Sequence, residues 1–279
     1  MIPLALAVVV AGTIQSTDTL VDVRRGDRVV IDQITGVLAI TAWDRDAVEA
    51  RTSASGGGVA LRRAGSEVRV VSAESRGRPR SVETTLRVPR WIDIEVGSRS
   101  LDVSVTGVGG TIRVGNVSGD VSILDVDGPV DVRSLRGEIL VVDARGPVRV
   151  SSQSDDVTLR RVTGPVEAHS GDGDVTLDDM RSATVRVEAQ DGDVSFSGVI
   201  AAGGEYAFFV HDGDATIAVP AATSARVSIS TFDGEFASDF TVRVDSFTSG
   251  REFGFVLGSG RARIRIEVFD GEIRLLQRR

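Results

Sequence analysis

Between Leu101 and Arg181 the chain divides without remainder into nine blocks of nine residues, and this period limits what it can fold into more than any other feature. The blocks read LDVSVTGVG, GTIRVGNVS, GDVSILDVD, GPVDVRSLR, GEILVVDAR, GPVRVSSQS, DDVTLRRVT, GPVEAHSGD and GDVTLDDMR. Positions three and five are aliphatic in every block, position four is polar in all but one, and position one is Gly in seven of the nine. Such alternation is the two-residue period of a strand with one buried face. A longer period overlies it: Gly-Pro recurs at Pro129, Pro147 and Pro165, and an acid follows the turn residue at Asp120, Glu138, Asp156 and Asp174. The repeating unit is therefore eighteen residues.

Two folds accept strands of this spacing. An antiparallel meander sets consecutive blocks side by side and leaves its apolar face uncovered. A two-sided β-solenoid stacks every second block at about 4.8 Å and buries the aliphatic positions of one sheet against those of the other. Position four favours the solenoid. Along one series Arg113, Asp131, Arg149, Glu167 and, after one inserted residue, Arg186 alternate in sign. Direct stacking sets each charge between opposite ones, worth roughly 0.2–1 kcal/mol per cross-strand pair. The other series, Ser104, Ser122, Leu140, Thr158, Thr176 and Ser195, is mainly hydroxyls. Two unlike rows imply two unlike faces. Gly at position one suits corners with a left-handed backbone, and Pro at position two suits a place with no ladder bond to donate. Position eight (Val108, Val117, Val126, Leu135, Ala144, Val162, Met180) is expected to fill the corners from inside, with Gln153 and Gly171 as exceptions that loosen the corner around them.

Outside the strict repeat, residues 19–96 hold short β-like runs such as RVVID at 28–32, GVLAITA at 36–42 and EVRVVS at 67–72, separated by turn-rich loops at 53–58 and 74–80. Pro89 fits only an edge or a bend. After Arg181 units beginning at Gly192, Gly213 and Gly234 follow at spacings of nineteen, twenty-one and twenty-one, and the last recognisable unit begins at Gly271. All ten Phe lie between Phe196 and Phe269, as expected of a cap that closes an open coil. The predicted architecture is all-β: a two-sided parallel β-solenoid with about 18 residues per coil over 97–217, preceded by a less regular β region (19–96) and closed by a Phe-rich C-terminal cap within 218–279. Residues 19–279 read as one continuous domain.

Composition narrows the function. All thirty-two basic residues are Arg, against forty acids, for a formal charge of −8, which argues against a nucleic-acid binder. With no cysteine, disulfides, thiol catalysis, cysteine-ligated zinc and lipid attachment at a cysteine are excluded. Residues 1–18 open with the apolar run IPLALAVVVA and turn polar at Gly12. Such a run is too short to span a bilayer and reads as a signal peptide, with Val9 and Ala11 at cleavage-compatible positions, although the usual leading basic residues are missing. Export to the periplasm, cell surface or medium is the expectation, with no transmembrane span in the mature chain.

The repeated G-D-V-x-[VILF] turns and strands after an apparent signal peptide, the early segment GVLAITAWDRDAV and the final G-E-I-R-L resemble the bacterial β-strand-repeat family of domain of unknown function 4097, whose members are also called adhesins. The resemblance covers about residues 19–279. It implies an envelope β-repeat module and brings no catalytic residues to carry over.

Three groups are candidate sites. The acid row Asp120, Glu138, Asp156, Asp174, Asp193 and Asp214 would set like charges one strand spacing apart, which calcium would relieve with oxygen ligands. The alternative is that each acid accepts a hydrogen bond from a backbone donor at its own turn, and the missing GGxGxDxUx pattern favours it. The hydroxyl face Ser122, Thr158, Thr176, Ser195 and Thr216 could be a flat surface for carbohydrate or ice. His169 and His211, the only histidines, adjoin Ser170 and Asp212, but neighbours on a strand point to opposite faces, so no catalytic dyad is expected. Trp43 and Trp91 read as packing residues in preference to sugar platforms. The expected function is a non-enzymatic exported scaffold, a structural or adhesion module of the cell envelope with no cofactor and an unidentified envelope glycan or protein as partner. The alternative is a polysaccharide-binding or polysaccharide-cleaving β-helix protein. Ligands are expected on the hydroxyl face or the acid edge, not on the Arg/Asp/Glu face.

Overall fold

A computed structural model of the chain describes residues 19–32, 34–53, 58–73, 82–242, 244–249 and 252–278. The predicted signal peptide (1–18) and most of the two predicted loops at 53–58 and 74–80 lie outside them. Every regular element among the described residues is a strand, arranged in one 13-stranded and one 14-stranded sheet that face each other. No helix is long and apolar enough to cross a membrane.

The eighteen-residue unit is one turn of a coil. Val130–Ser134 lies in the first sheet, the acid corner follows, Ile139–Ala144 lies in the second sheet, and the Gly-Pro corner leads to Val148–Ser152, which pairs in parallel with Val130–Ser134. Ile112, Val130, Val148 and Val166 are in direct register at this spacing, then Val185 at nineteen and Tyr206 at twenty-one. Positions three and five point inward from both sheets, and Val121, Ile123, Ile139, Val141, Val132 and Val150 are buried. As the coils lengthen, the core admits aromatics: Phe196 from one sheet meets Phe208 (5.4 Å) and Tyr206 (6.0 Å) from the other, edge to face.

Stacking departs from chain order at both ends. Among the described residues eleven coils stack, but the last in sequence, Ala262–Asp270 with Ile273–Arg278, is inserted between Glu205–Asp212 with Ala215–Pro220 and Ala225–Asp233 with Phe236–Ser238. At the other end the first coil, Arg28–Asp32 with Thr35–Trp43, lies beneath Glu67–Ala73 with Val82–Pro89. Antiparallel strands cover the ends: Gly58–Ala64, Ala47–Ser53 and Thr19–Asp22 at one, Glu252–Leu257 and Val244–Ser249 at the other. They divert edges that would otherwise template pairing with another chain. Phe236, Phe253 and Phe255 cluster at 5.3–6.4 Å beneath the second cap, so the predicted Phe-rich closure is present.

The corners differ from expectation in two ways. Glycines of the acid corner do adopt left-handed backbone, as at Gly137 (φ 117°). Those of the Gly-Pro corner do not; there the reason is contact, because a Cβ on Gly146 would lie 2.4 Å from the carbonyl oxygen of Gly128 one coil below. Position eight fills only the Gly-Pro corner, where Val108, Val126, Ala144, Val162 and Met180 are buried. At the acid corner it points outward, Leu135 being 50% exposed, and position seven turns in instead. That inner column is Asn116, Ser134, Ser152 and Ser170, whose side chains donate to corner carbonyls such as Leu101, Arg136, Asp155 and Gly173. Gln153 is thus an exposed member of a closed corner, and Gly171 is buried against the Gln153 carbonyl and side chain, so neither marks a loosened corner.

Tyr206, the chain's one tyrosine, ties a long corner together: its hydroxyl donates to the Ser182 carbonyl and accepts from the Ala201 N–H, both at 2.8 Å. Burial raises its phenol above the ordinary value, against a smaller opposing effect of the Ala201 hydrogen bond. A raised folded value means the contribution is intact below the unfolded value, about 10, and is lost as pH rises through the folded one. Alkaline titration at 295 nm is therefore expected to show tyrosinate appearing together with loss of β-sheet circular dichroism; tyrosinate forming within an intact fold would contradict this. Tyr206→Phe, which strands two backbone groups, is expected to cost about 1–3 kcal/mol at neutral pH.

Candidate functional site

Acid-corner carboxylates form a hydrogen-bonded ladder. The Oδ1 of one acid accepts the backbone N–H of the acid one coil on: Asp102 from Asp120 (3.1 Å), Asp120 from Glu138 (3.0 Å), Asp156 from Asp174 (2.9 Å), Asp174 from Asp193 (2.9 Å) and Asp193 from Asp214 (2.8 Å). Asp214 accepts in turn from Glu272 at 2.8 Å, across the inserted last coil. The donor thus lies on the next coil and not at the acid's own turn. Among the described residues, no group of three or more His, Cys, Asp or Glu is placed to hold a metal ion. Glu138 interrupts the ladder: no bond joins its side chain to the N–H of Asp156, and its extra methylene is the difference from every rung whose carboxylate accepts, all of which are Asp. Glu138→Asp is expected to raise stability by about 1 kcal/mol, measured as a shifted urea midpoint.

The hydroxyl face is in register as predicted, Ser104, Ser122, Leu140, Thr158, Thr176, Ser195 and Thr216 lying side by side on the second sheet. Beside Thr158, Thr176 and Ser195 runs a second group, Arg160, Asp178 and Ser197, and together they line a shallow depression of about 230 Å³. Ser197 Oγ donates to Asp178 Oδ1 (2.8 Å) and Arg160 lies 3.3 Å away, so the hydroxyl first and the guanidinium second hold the Asp178 carboxyl below its usual range.

On the first sheet the alternating charges are also in register, yet fewer pair along the row than stacking alone suggests. Arg149 binds Glu167 through Nε and Nη2 (2.8 and 2.6 Å), which raises the arginine and depresses the carboxyl. Asp131 instead pairs with Arg133 on its own strand, and Arg186 with Glu188. Partners two residues apart on one strand share a face and compete with those one coil away. His169 bridges Glu167 (3.2 Å) and Glu188 (3.1 Å) on the surface while Ser170 is buried, so the two point apart. Trp43 and Trp91 are half-buried at the N-terminal end, their indole N–H groups held by the Ala47 carbonyl and by Asp46.

A larger groove, of about 770 Å³, opens on the C-terminal half of this charged sheet among His169, Glu188, Phe209, His211, Phe232 and Phe269. Arg186 and Arg265 bracket the Phe209 ring at 4.7 and 5.7 Å. His211, Phe269 and Phe232 follow one another in that order, with ring centres 4.9 and 4.8 Å apart, the first pair tilted by 33° and the second stacked.

The sequence profile of the family described as Toastrack DUF4097 matches residues 80–276. The chain belongs to this family. No curated protein matches the Toastrack chain. Among solved structures, a "putative cell adhesion protein" from Clostridium sporogenes ATCC 15579 is similar at 8% identity, over 95% of this chain and 100% of that one, with a TM-score of 0.25. A "putative adhesin" from Parabacteroides distasonis ATCC 8503 is similar at 10% identity, over 95% of this chain and 98% of that one, with a TM-score of 0.35.

The groove of this Toastrack domain is what sequence reasoning missed. Its aromatic residues read as cap material, and nothing in the spacing shows that Phe269 comes between His211 and Phe232, because that neighbourhood exists only through the inserted last coil. A readable signal did exist in the turns Asp172-Gly173-Asp174, Asp191-Gly192-Asp193, Asp212-Gly213-Asp214, Asp233-Gly234-Glu235 and Asp270-Gly271-Glu272. Only Asp174, Asp193 and Asp214, the second acids of the first three turns, were read as part of a row.

Proposed function

We propose that this Toastrack chain is an exported, non-enzymatic scaffold of the bacterial cell envelope that acts as a structural or adhesion module. What carries the reading is the register itself: Ser104 to Thr216 on one sheet and Arg113 to Arg186 on the other stand in straight rows at single-strand spacing. Straight rows of polar side chains at about 4.8 Å suit an extended or repetitive partner, and a stack in which each coil is clamped by its neighbours presents them without reordering cost. Catalysis needs unlike groups converging on one point, whereas His169 and Ser170 diverge. The apolar opening of residues 1–11 supports export. No cofactor is assigned, since each Asp rung that carries a bond in the acid row already spends an oxygen on a backbone donor.

The hydroxyl face is the proposed contact for an envelope glycan, centred on Thr158, Thr176 and Ser195, with Ser122 and Thr216 at its ends. Fractionation of the host and a glycan array probed with the purified chain test this together. The chain is expected in the envelope fraction, with saturable glycan binding that Thr158→Ala, Thr176→Ala and Ser195→Ala combined weaken at least tenfold. A cytosolic location, or release of unsaturated oligosaccharides from uronate polymers, would overturn the reading in favour of another compartment or of a polysaccharide-cleaving enzyme.

A further inference from the structure

We propose that the groove on the C-terminal half of the charged sheet docks a basic, apolar-containing polypeptide segment, which lies along the stack with its cationic side chains on a row of aspartates and its apolar ones on the aromatic row. The inference goes beyond the glycan contact and rests on the interaction-module reading only in taking the chain to bind and not to turn over its partner.

The aspartates are the first acids of the five Asp-Gly-acid turns. Asp172, Asp191, Asp212, Asp270 and Asp233 are in direct register on five successive coils, and all are exposed. At one strand spacing per coil the row is about 19 Å long, the reach of roughly six extended residues. The acid-corner ladder spends its carboxylates on backbone N–H groups. These five spend theirs on nothing: none makes a side-chain hydrogen bond or ion pair among the described residues. Like charges so spaced repel one another, and a cationic segment relieves all five at once.

Immediately inside this row stand His211, Phe269 and Phe232, the last two 48% and 54% exposed. Phe232 and Phe269 are parallel to within 2°, and Phe269 lies between Phe232 and His211, with a neighbouring ring on each side. A sugar needs a free ring face to stack on, and the central ring, Phe269, has neighbours on both sides; an aliphatic or aromatic side chain packs against its exposed edge. The charges that line the groove are matched, Arg186 with Glu188 and Glu267 with Arg265, and the unmatched charge is at its border, where the exposed Asp191, Asp212, Asp233 and Asp270 each follow a lining residue (Gln190, His211, Phe232 and Phe269) at the end of a strand. That sign repels nucleic acid and anionic membrane surfaces. A neutral glycan offers it nothing.

The test uses the whole chain and a fluorescein-labelled octapeptide of alternating Lys and Leu, followed by anisotropy. Saturable binding is expected, at least tenfold weaker for Asp191→Asn, Asp212→Asn and Asp270→Asn combined, and at least tenfold weaker for Phe269→Ser with Phe232→Ser. Removing three exposed acids at the opposite end (Asp22→Asn, Asp44→Asn, Glu83→Gln) is expected to change affinity less than twofold. A Lys-Ser octapeptide is expected to bind at least tenfold more weakly than the Lys-Leu one. The proposal is overturned if the chain does not bind the Lys-Leu peptide saturably, if both triple variants weaken binding equally, or if the Lys-Ser peptide binds as well. Glycan binding through Thr158, Thr176 and Ser195 is read separately on the array, so either site can fail alone.

Discussion

Gly128→Ala is expected to cost about 3–5 kcal/mol of stability or to prevent folding outright. The added Cβ would lie 2.1 Å from the Gly110 carbonyl oxygen and 2.7 Å from that of Gly109, and both are backbone atoms of the coil beneath. Nothing there can swing aside, so relief requires the two coils to part, which stretches ladder bonds in both sheets. Gly97→Ala is the matched control, since its Cβ would meet only the end of the Asp32 side chain, at 3.2 Å. The urea midpoint of the control is expected to move little. If Gly128→Ala were equally mild, the Gly-Pro corners could not be the close-stacked contact that explains their glycine.

Deleting residues 262–279 is expected to unfold the coil that precedes them as well. In a stack built in chain order this would shorten the solenoid by its outermost coil and leave its neighbour intact. Here Ile264 and Ile266 lie between Tyr206 and Phe208 on one side and Val227 and Ile229 on the other, with Ile273 and Leu275 equally buried. Each such side chain is worth roughly 1.5–3 kcal/mol of burial, and their loss leaves Ala225–Asp233 without the partner it pairs with in parallel. Hydrogen exchange is expected to show protection lost across 225–238 and 252–257 and retained across 112–180. Retained protection at 225–238 would mean that this coil stacks directly on Glu205–Asp212.

Much of this fold could be read because the repeat is strict where the coil is regular. Residues three, four and five of each block reported inside, outside and inside, and the opposite signs of Arg149 and Glu167 announced which block stacks on which. Corner detail was less legible. Leu135 occupies the same block position as Val126, and only the different geometry of the two corners turns one out and the other in. The ends were least legible, because coil insertion is a long-range event. The spacing from Gly213 to Gly234 matches that from Gly192 to Gly213, so sequence order offers a plausible neighbour, and the true one, Gly271, is far along the chain. The same limit concealed the aromatic row, which needs residues from Glu205–Asp212, Ala262–Asp270 and Ala225–Asp233 side by side. The hydroxyl face, by contrast, was fully readable because Ser122, Thr158, Thr176, Ser195 and Thr216 all come from coils stacked in sequence order.

The inserted last coil underlies both the cap and the proposed docking groove, and disulfide trapping in this cysteine-free chain tests it most directly. Thr216 is in register with Arg274, which is in register with Ala237. Thr216→Cys with Arg274→Cys sets two thiols on adjacent strands, about 4.8 Å apart at Cα and inside the range a disulfide spans. Thr216→Cys with Ala237→Cys sets them two strands apart, about 9.6 Å and outside it. On mild oxidation the first pair is expected to cross-link within the chain and the second to keep both thiols free. Cross-linking of the second pair and not the first would show that the coils stack in chain order and would dismantle the groove.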